Sequence, residues 1–225
     1  MGKTVLTSTQ LNFLELAQSN AWIVKNFYLT GGTALAAFYY QHRLSEDIDL
    51  FCENKEVDPI LTEAFLKKNK KKLNLVGWAR TQILGLVSYN LNFKSGEKLK
   101  VDFNYYPFPR INTGKKFKNL AIDSVYDIAV NKIHTVFMKP RIRDFIDLYF
   151  IFKREKDYSL SKLILDAKAK FDWHIDPINL AAQFVRVSEL LKTKDLPKIL
   201  VPFNQKKMEE FFLKLAKSLE REIFV

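Results

Sequence analysis

The sequence predicts an α+β fold: a mixed sheet with flanking helices in the N-terminal half, then an α-helical C-terminal half. Three features point there. From Leu73 to Tyr106 the segments "LNLVGWA", "ILGLVSYNLNF" and "EKLKVDFNYY" carry the β-branched and aromatic content of strands. Beyond Ser124 the apolar spacing is helical, punctuated by Pro140, Pro177 and Pro197. Between them lies a polar connection, Asn112 to Asn119, after Pro107 and Pro109. The expected division is a first domain over residues 1–120 and a helical domain over 121–225, with a soft boundary near residues 115–124.

The elements follow in order. Thr7 and Gln10 have the spacing of a capping box opening a helix to about Gln18. "WIVKNFYLT" reads as the approach to a short strand ending at Gly31-Gly32, and Thr33 to about Gln41 as a helix. "DIDLF" reads as a strand. Asp58 to Lys70 is helical, with Ile60, Leu61, Ala64 and Phe65 at helical spacing. "KSGE" turns the last two strands into a hairpin. The later helices are expected over Ser124–Met138, Arg141–Lys153, Ser159–Lys170, Pro177–Lys192 and Asn204–Arg221. In the last, Phe211, Phe212, Leu215 and Leu219 form a core-packing stripe.

The 225 residues, 48% hydrophobic and 14% aromatic, suffice for a real core and exclude a disordered chain. A single cysteine, Cys52, excludes a disulfide framework and suits a reducing cytosol. No apolar run reaches about 18 residues, so the expectation is a cytoplasmic protein without membrane partners. The net charge is +11, and it is uneven. Residues 1–110 hold 14 Lys/Arg against 10 Asp/Glu, a net of +4, whereas residues 111–225 hold 22 against 15, a net of +7. Such a balance favours polyanions or serves solubility alone. The run "KKNKKK", Lys67 to Lys72, closes a helix pattern and reads as a solvated cap suited to the helix dipole.

The chemistry concentrates in "LTGGTALAAFYYQHRLSEDIDLFC", Leu29 to Cys52. In a strand, residues two apart share a face, so Asp47 and Asp49 project together and repel unless a cation relieves them. Hard carboxylate oxygens suit Mg²⁺ or Mn²⁺; the bland alternative is an exposed strand with solvated aspartates. Gly31-Gly32-Thr33 stands between strand and helix, where free amides can cradle phosphate. Asp102, between Val101 and Phe103, completes a carboxylate triad if its strand lies beside "DIDLF". His42, His134 and His174 lack metal-ligand spacing.

The pattern Gly31-Gly32-Thr33-Ala34-Leu35, followed by His42-Arg43-x-Ser45-x-Asp47-x-Asp49-Leu50-Phe51, resembles the nucleotidyltransferase AbiEii/AbiGii toxin family, within the DNA polymerase beta-like nucleotidyltransferase superfamily. "DIAVNKIHTVFMKPRIRD", with Lys132, and "RIRDFIDLYF" extend the likeness across about residues 27–152. Gly32 stands where the superfamily often has serine. The resemblance implies a nucleotidyltransferase-type sheet and transfer of a nucleoside monophosphate from an NTP, with release of pyrophosphate. Asp47, Asp49 and Asp102 would be metal ligands and catalytic, with Mg²⁺ or Mn²⁺ as cofactor. Gly31, Gly32, Thr33, Arg43 and Ser45 would contact the nucleotide. Lys132 would pair with the triphosphate, and Asp144 would orient Lys132 or the acceptor. Without the family, Lys132 reads as a surface helix lysine, and Arg141/Asp144 and Arg143/Asp147 as intrahelical salt bridges.

The helical domain is expected to complete the active-site cleft, and its greater basicity points to RNA, foremost a tRNA end, as acceptor. A neighbouring antitoxin is the implied protein partner. The alternatives are a nucleotidyltransferase of the antibiotic-modifying kind and a non-catalytic RNA- or partner-binding module.

Overall fold

The computed structural model describes residues 5–193 and 195–221. The chain divides into two compact units, Met1–Ser124 and Val125–Val225.

In the first unit, α1 (Ser8–Gln18) opens on the expected capping box. The Thr7 hydroxyl accepts from the Gln10 amide at 3.2 Å, and the Gln10 side chain accepts from the Thr7 amide at 3.0 Å. The next segment corrects an expectation. "AWIVKN" is a helix, α2 (Ala21–Asn26), because the Asn20 side chain caps the Ile23 amide at 3.0 Å. The strand β1 is left with Tyr28–Thr30. Then α3 (Gly31–Leu35) widens into a π-helical turn, Ala36–Tyr40, and stops at Gln41 with φ 52°. After β2 (Ile48–Cys52) comes α4 (Pro59–Asn69), capped by Asp58, whose carboxylate accepts from Ile60 and Leu61 at 2.8 and 3.3 Å.

The remaining strands are β3 (Leu75–Ile83), β4 (Leu86–Phe93), β5 (Lys98–Tyr105), β6 (Lys116–Phe117) and β7 (Leu120–Ile122). Two of them correct the sequence reading. "ILGLVSYNLNF" is not one strand: Leu84 takes φ 50° and the chain reverses at Leu84-Gly85, pairing Ile83 with Leu86. The tight turn lets β3 and β4 satisfy each other's backbone groups along their length. The polar connection over 112–119 contains β6, which pairs with β7.

Among the described residues the sheet has seven strands in the order β3-β4-β5-β2-β1-β7-β6. β2 is parallel to β5 and β1 to β7; the other neighbours are antiparallel. Strand alternation separates two faces. Val87, Tyr89, Leu91, Leu99, Val101, Phe103, Ile48 and Leu50 are buried on one face. The helices α1 and α4 cover it: Phe13 meets Phe65 edge-on at 5.7 Å, and the Tyr89 hydroxyl lies 2.8 Å from that of Thr62. Each such aromatic contributes about 1.5–3 kcal/mol of burial. The other face carries Ser88, Asn90, Asn92, Lys98, Lys100, Asp102 and Asp49.

The second unit holds α5 (Val125–Met138), α6 (Ile142–Arg154), α7 (Leu160–Phe171), α8 (Pro177–Val185), α9 (Val187–Leu190) and α10 (Gln205–Arg221). The helix expected over Pro177–Lys192 thus breaks at Arg186 into α8 and α9. Phe145, Phe184 and Phe212 form an aromatic core with ring centroids 4.8–6.4 Å apart. A buried ion pair, Lys170 to Asp127 at 3.0 Å, ties α7 to α5. Among the described residues no helix is long and apolar enough to cross a membrane.

Candidate active site

Two glycines shape the turn after β1, each for a different neighbour. Gly31 has φ +75°, and a Cβ there would stand 2.6 Å from Asp49 Oδ2. Only a residue without a side chain lets that carboxylate approach so closely. At Gly32 a Cβ would collide with the Arg43 guanidinium and come within 3.2 Å of Ser45 Oγ. Arg43 is 2% exposed, and its Nη1 donates to the Leu44 carbonyl at 2.9 Å. It therefore lies against the glycine turn, inside the fold. The loop that leads into β2 is pinned twice: Gln10 of α1 donates to the Ser45 carbonyl at 2.8 Å, and the Thr33 hydroxyl donates to the Asp47 carbonyl.

Asp47 sits one residue before β2 begins, at its mouth, and Asp49 is inside it. Asp49 is in register with Thr30 on one side and with Asp102 of parallel β5 on the other. Neighbouring strands are about 4.8 Å apart, so the Asp49 and Asp102 positions stand side by side on the polar face of the sheet, Asp49 half-buried and Asp102 buried. Asp102 is itself held from both sides, by the Ser88 hydroxyl at Oδ1 and by Lys100 Nζ, 2.5 Å from Oδ2. Partial burial pulls the Lys100 ammonium down, but the Asp102 hydrogen bond and the charges of Asp102, Asp47 and Asp49 outweigh it and hold the group above its ordinary value. On the other flank the Thr30 hydroxyl donates to Asp123 Oδ2 at 2.6 Å, extending the polar row across four strands to the residue that follows β7.

Among the described residues no group of three His, Cys, Asp or Glu side chains converges as a ready-made metal cage. The donor chemistry nevertheless fits a hard divalent ion: carboxylates come from adjacent strands, and a cation, Lys100, already sits on one of them, Asp102.

Lys132 and Asp144 belong to the second unit, where they meet. Lys132 Nζ of α5 lies 2.8 Å from Asp144 Oδ1 and 2.7 Å from Asp147 Oδ2, both on α6. The helical spacing of Arg141 and Asp144 is realised as an ion pair at 2.9 Å. Burial would raise the Asp144 carboxyl, but Lys132 and Arg141 prevail and keep it below the usual carboxylate range. Lys132 is 7% exposed, so it is no surface lysine.

Four participants escaped the sequence reading, Ser88, Lys100, Thr30 and Asp123, and Asp147, read only as an intrahelical partner of Arg143, also pairs with Lys132. Lys100 had a usable signal, since it stands two residues before Asp102 and must share its face. Asp147 stands three residues after Asp144 and shares its helix face. Ser88, Thr30 and Asp123 depend on sheet register, which has no local signature.

Comparisons with known proteins bear on the fold and the family. No curated protein matches the chain. A candidate nucleotidyltransferase from H. pylori has 18% identity and a TM-score of 0.59, covering 96% of this chain and 97% of that one. JHP933 from Helicobacter pylori has 20% identity and a TM-score of 0.57, with 96% and 94% covered. Both likenesses bear on the fold, a nucleotidyltransferase-type mixed sheet followed by helices. The profile of the nucleotidyl transferase AbiEii toxin family, of type IV toxin–antitoxin systems, matches residues 23–220. With the glycine turn, the Asp47/Asp49 strand and the Lys132–Asp144 helices all inside that span, the chain belongs to the AbiEii nucleotidyltransferase toxin family.

Proposed function

We propose that the protein transfers a nucleoside monophosphate from an NTP to a hydroxyl of an RNA acceptor, foremost a tRNA end. The acceptor oxygen forms the new bond to the α-phosphorus, and the bond to pyrophosphate breaks. The observation that carries this reading is the in-register pair Asp49–Asp102, set against the Gly31-Gly32 turn. Asp47, Asp49 and Asp102 would hold Mg²⁺ or Mn²⁺, which when bound supplies Lewis acidity and neutralises phosphate charge. Asp102 takes the acceptor proton. The amides of Gly31 and Gly32 and the Thr33 segment receive the phosphates, with Arg43 and Ser45 ordering the turn from beneath. The family resemblance assigns the triphosphate to Lys132, oriented by Asp144.

The function requires positioning more than covalent chemistry, in keeping with a pinned loop and a hydrogen-bonded carboxylate. The reading includes a cytoplasmic location and an antitoxin that neutralises the activity. The test is incubation with total RNA, Mg²⁺ and each radiolabelled NTP in turn. Labelled RNA with the wild type and none with Asp49→Asn supports the proposal. Label confined to small molecules replaces the acceptor, and equal labelling by the variant removes the metal-site reading.

A further inference from the structure

The lysine run that looked like a helix cap has company in the folded chain. After α4, the Lys70 carbonyl accepts from the Leu75 amide at 3.0 Å, which bends Lys71 and Lys72 back toward β3. The Asn74 carbonyl then accepts from the Lys94 amide at 2.9 Å, and Leu75 pairs with Phe93. Asn92 pairs with Lys98 across the β4–β5 hairpin. Three separate segments thus bring Lys70, Lys71, Lys72, Lys94 and Lys98 to one end of the sheet, all exposed. The acidic residue of that turn, Glu97, is engaged by Ser95 at 3.1 Å.

From there the polar face, exposed at Asn90 and half-buried at Asn92 and Lys100, leads to the acidic row, where Asp102 is buried. Lys98, Lys100 and Asp102 alternate along β5 and share that face, Asp102 lying about 13 Å beyond Lys98. Beside them run Asn92, Asn90 and Ser88 of β4, then Gly77, Ala79 and Thr81 of β3, each in register. Small side chains, amide donors and ammonium groups suit a sugar-phosphate backbone. The large aromatic anchors that dominate protein–protein hot spots are missing from this row.

We infer that the strip Lys70–Lys72, Lys94 and Lys98, continued by the Asn90/Asn92 face, is the docking track for a single-stranded polynucleotide whose acceptor end reaches Asp102. This rests on the RNA-acceptor reading above and adds the path by which the acceptor arrives. The lysines neutralise phosphates and release counterions, and the neutral face lets the strand lie close to the sheet.

The test compares two variants of the full chain with equal charge removed. One carries Lys71→Ala, Lys72→Ala, Lys94→Ala and Lys98→Ala; the other carries Lys206→Ala, Lys207→Ala, Lys214→Ala and Lys217→Ala on α10, all exposed. The probe is a fluorescein-labelled single-stranded RNA of about a dozen nucleotides, titrated between 50 and 200 mM salt. The first variant is expected to bind at least tenfold more weakly and to lose about three units of the salt slope, because each phosphate contact on a single strand contributes about 0.7. The α10 variant is expected to bind like the wild type. Equal losses in both would reduce the effect to net charge and overturn the track. So would unchanged RNA binding by the first variant with weakened binding of poly-glutamate, which would mark an acidic protein surface as the occupant. If RNA is labelled by NTP yet the first variant binds it normally, only the track is wrong. If wild type neither binds nor labels RNA, the acceptor reading falls and takes the track with it.

Discussion

Asp49 and Asp102 stand abreast on parallel strands, and the ammonium of Lys100 lies 2.5 Å from the second of them. An acidic site that carries its own counter-cation holds like charges together without outside help. A divalent ion held by these carboxylates, as proposed, would compete with that ammonium. Lys100→Gln is therefore expected to bind Mn²⁺ more tightly, by about tenfold, the effect of removing one screened like charge nearby. Electron paramagnetic titration of free Mn²⁺ reads this directly. Equal or weaker affinity in the variant would show that Lys100 does not compete.

Asp49→Asn keeps the shape of the side chain and removes its charge. Nucleotide transfer is expected to fall about a thousandfold or more, the scale of several kcal/mol of lost charge stabilisation. The melting temperature should stay within a few degrees, since Asp49 is only half-buried and sits among other carboxylates. A variant that unfolds would refer the loss to the scaffold, and one that transfers normally would free Asp49 of any role.

Gly31→Ala tests the turn. The new Cβ would meet Asp49 Oδ2 at 2.6 Å on a backbone with φ +75°, so the substitution strains both conformation and packing. A destabilisation of about 1–3 kcal/mol is expected from urea unfolding. An unaltered midpoint would mean that the turn can relax away from the carboxylate.

In the second unit, Lys132 bridges Asp144 and Asp147, whose side chains are 2% and 0% exposed. Lys132→Met leaves two buried carboxylates without that partner and is expected to cost about 3–5 kcal/mol. A further change of Asp147 to Asn should recover part of the loss in a double-mutant cycle. Additive losses would argue that the two side chains are energetically independent.

His134 stacks on Phe171 with ring centroids 4.0 Å apart, and burial holds its imidazole below the ordinary value of 6.5. The unfolded chain thus binds the proton more readily than the folded one. Stability from this residue is fully present above about pH 6.5 and is lost as the pH falls through the lowered value. Urea midpoints at pH 7.5 and 5.5 are expected to differ less in His134→Gln than in the wild type. An identical difference in both would place the acid sensitivity elsewhere.

Much of this was legible in the chain because its signals are local. Thr7 and Gln10 cap a helix from three residues apart, and Asp58 followed by Pro59 starts another. The close spacing of Asp47 and Asp49, downstream of a glycine pair, points to the candidate site. What failed needed partners distant in sequence. Leu84 and Gly85 look like two more residues of an apolar strand until β3 and β4 pair across them. The hydrogen bond from Thr30 to Asp123 spans 93 positions, beyond any pattern of period two or 3.6. Asn20 shows the opposite case: a local cap outweighed the strand-forming residues of "WIV", and the cap is the signal that should have decided it.

The wide separation of Thr30 from Asp123, and of Asp49 from Asp102, has a consequence for biosynthesis. A ribosome releases the chain from its N-terminus at about 5–20 residues per second, and pairings between remote strands wait for their later member. The nascent fragment that ends before β5 holds Asp47, Asp49 and the glycine turn, yet lacks Asp102 and the lysine that escorts it. The Lys132 cluster, closed over at most 15 positions, forms only after the sheet has emerged. The polar row is therefore assembled only when β5 and then Asp123 have emerged, and a shorter nascent fragment holds only part of it.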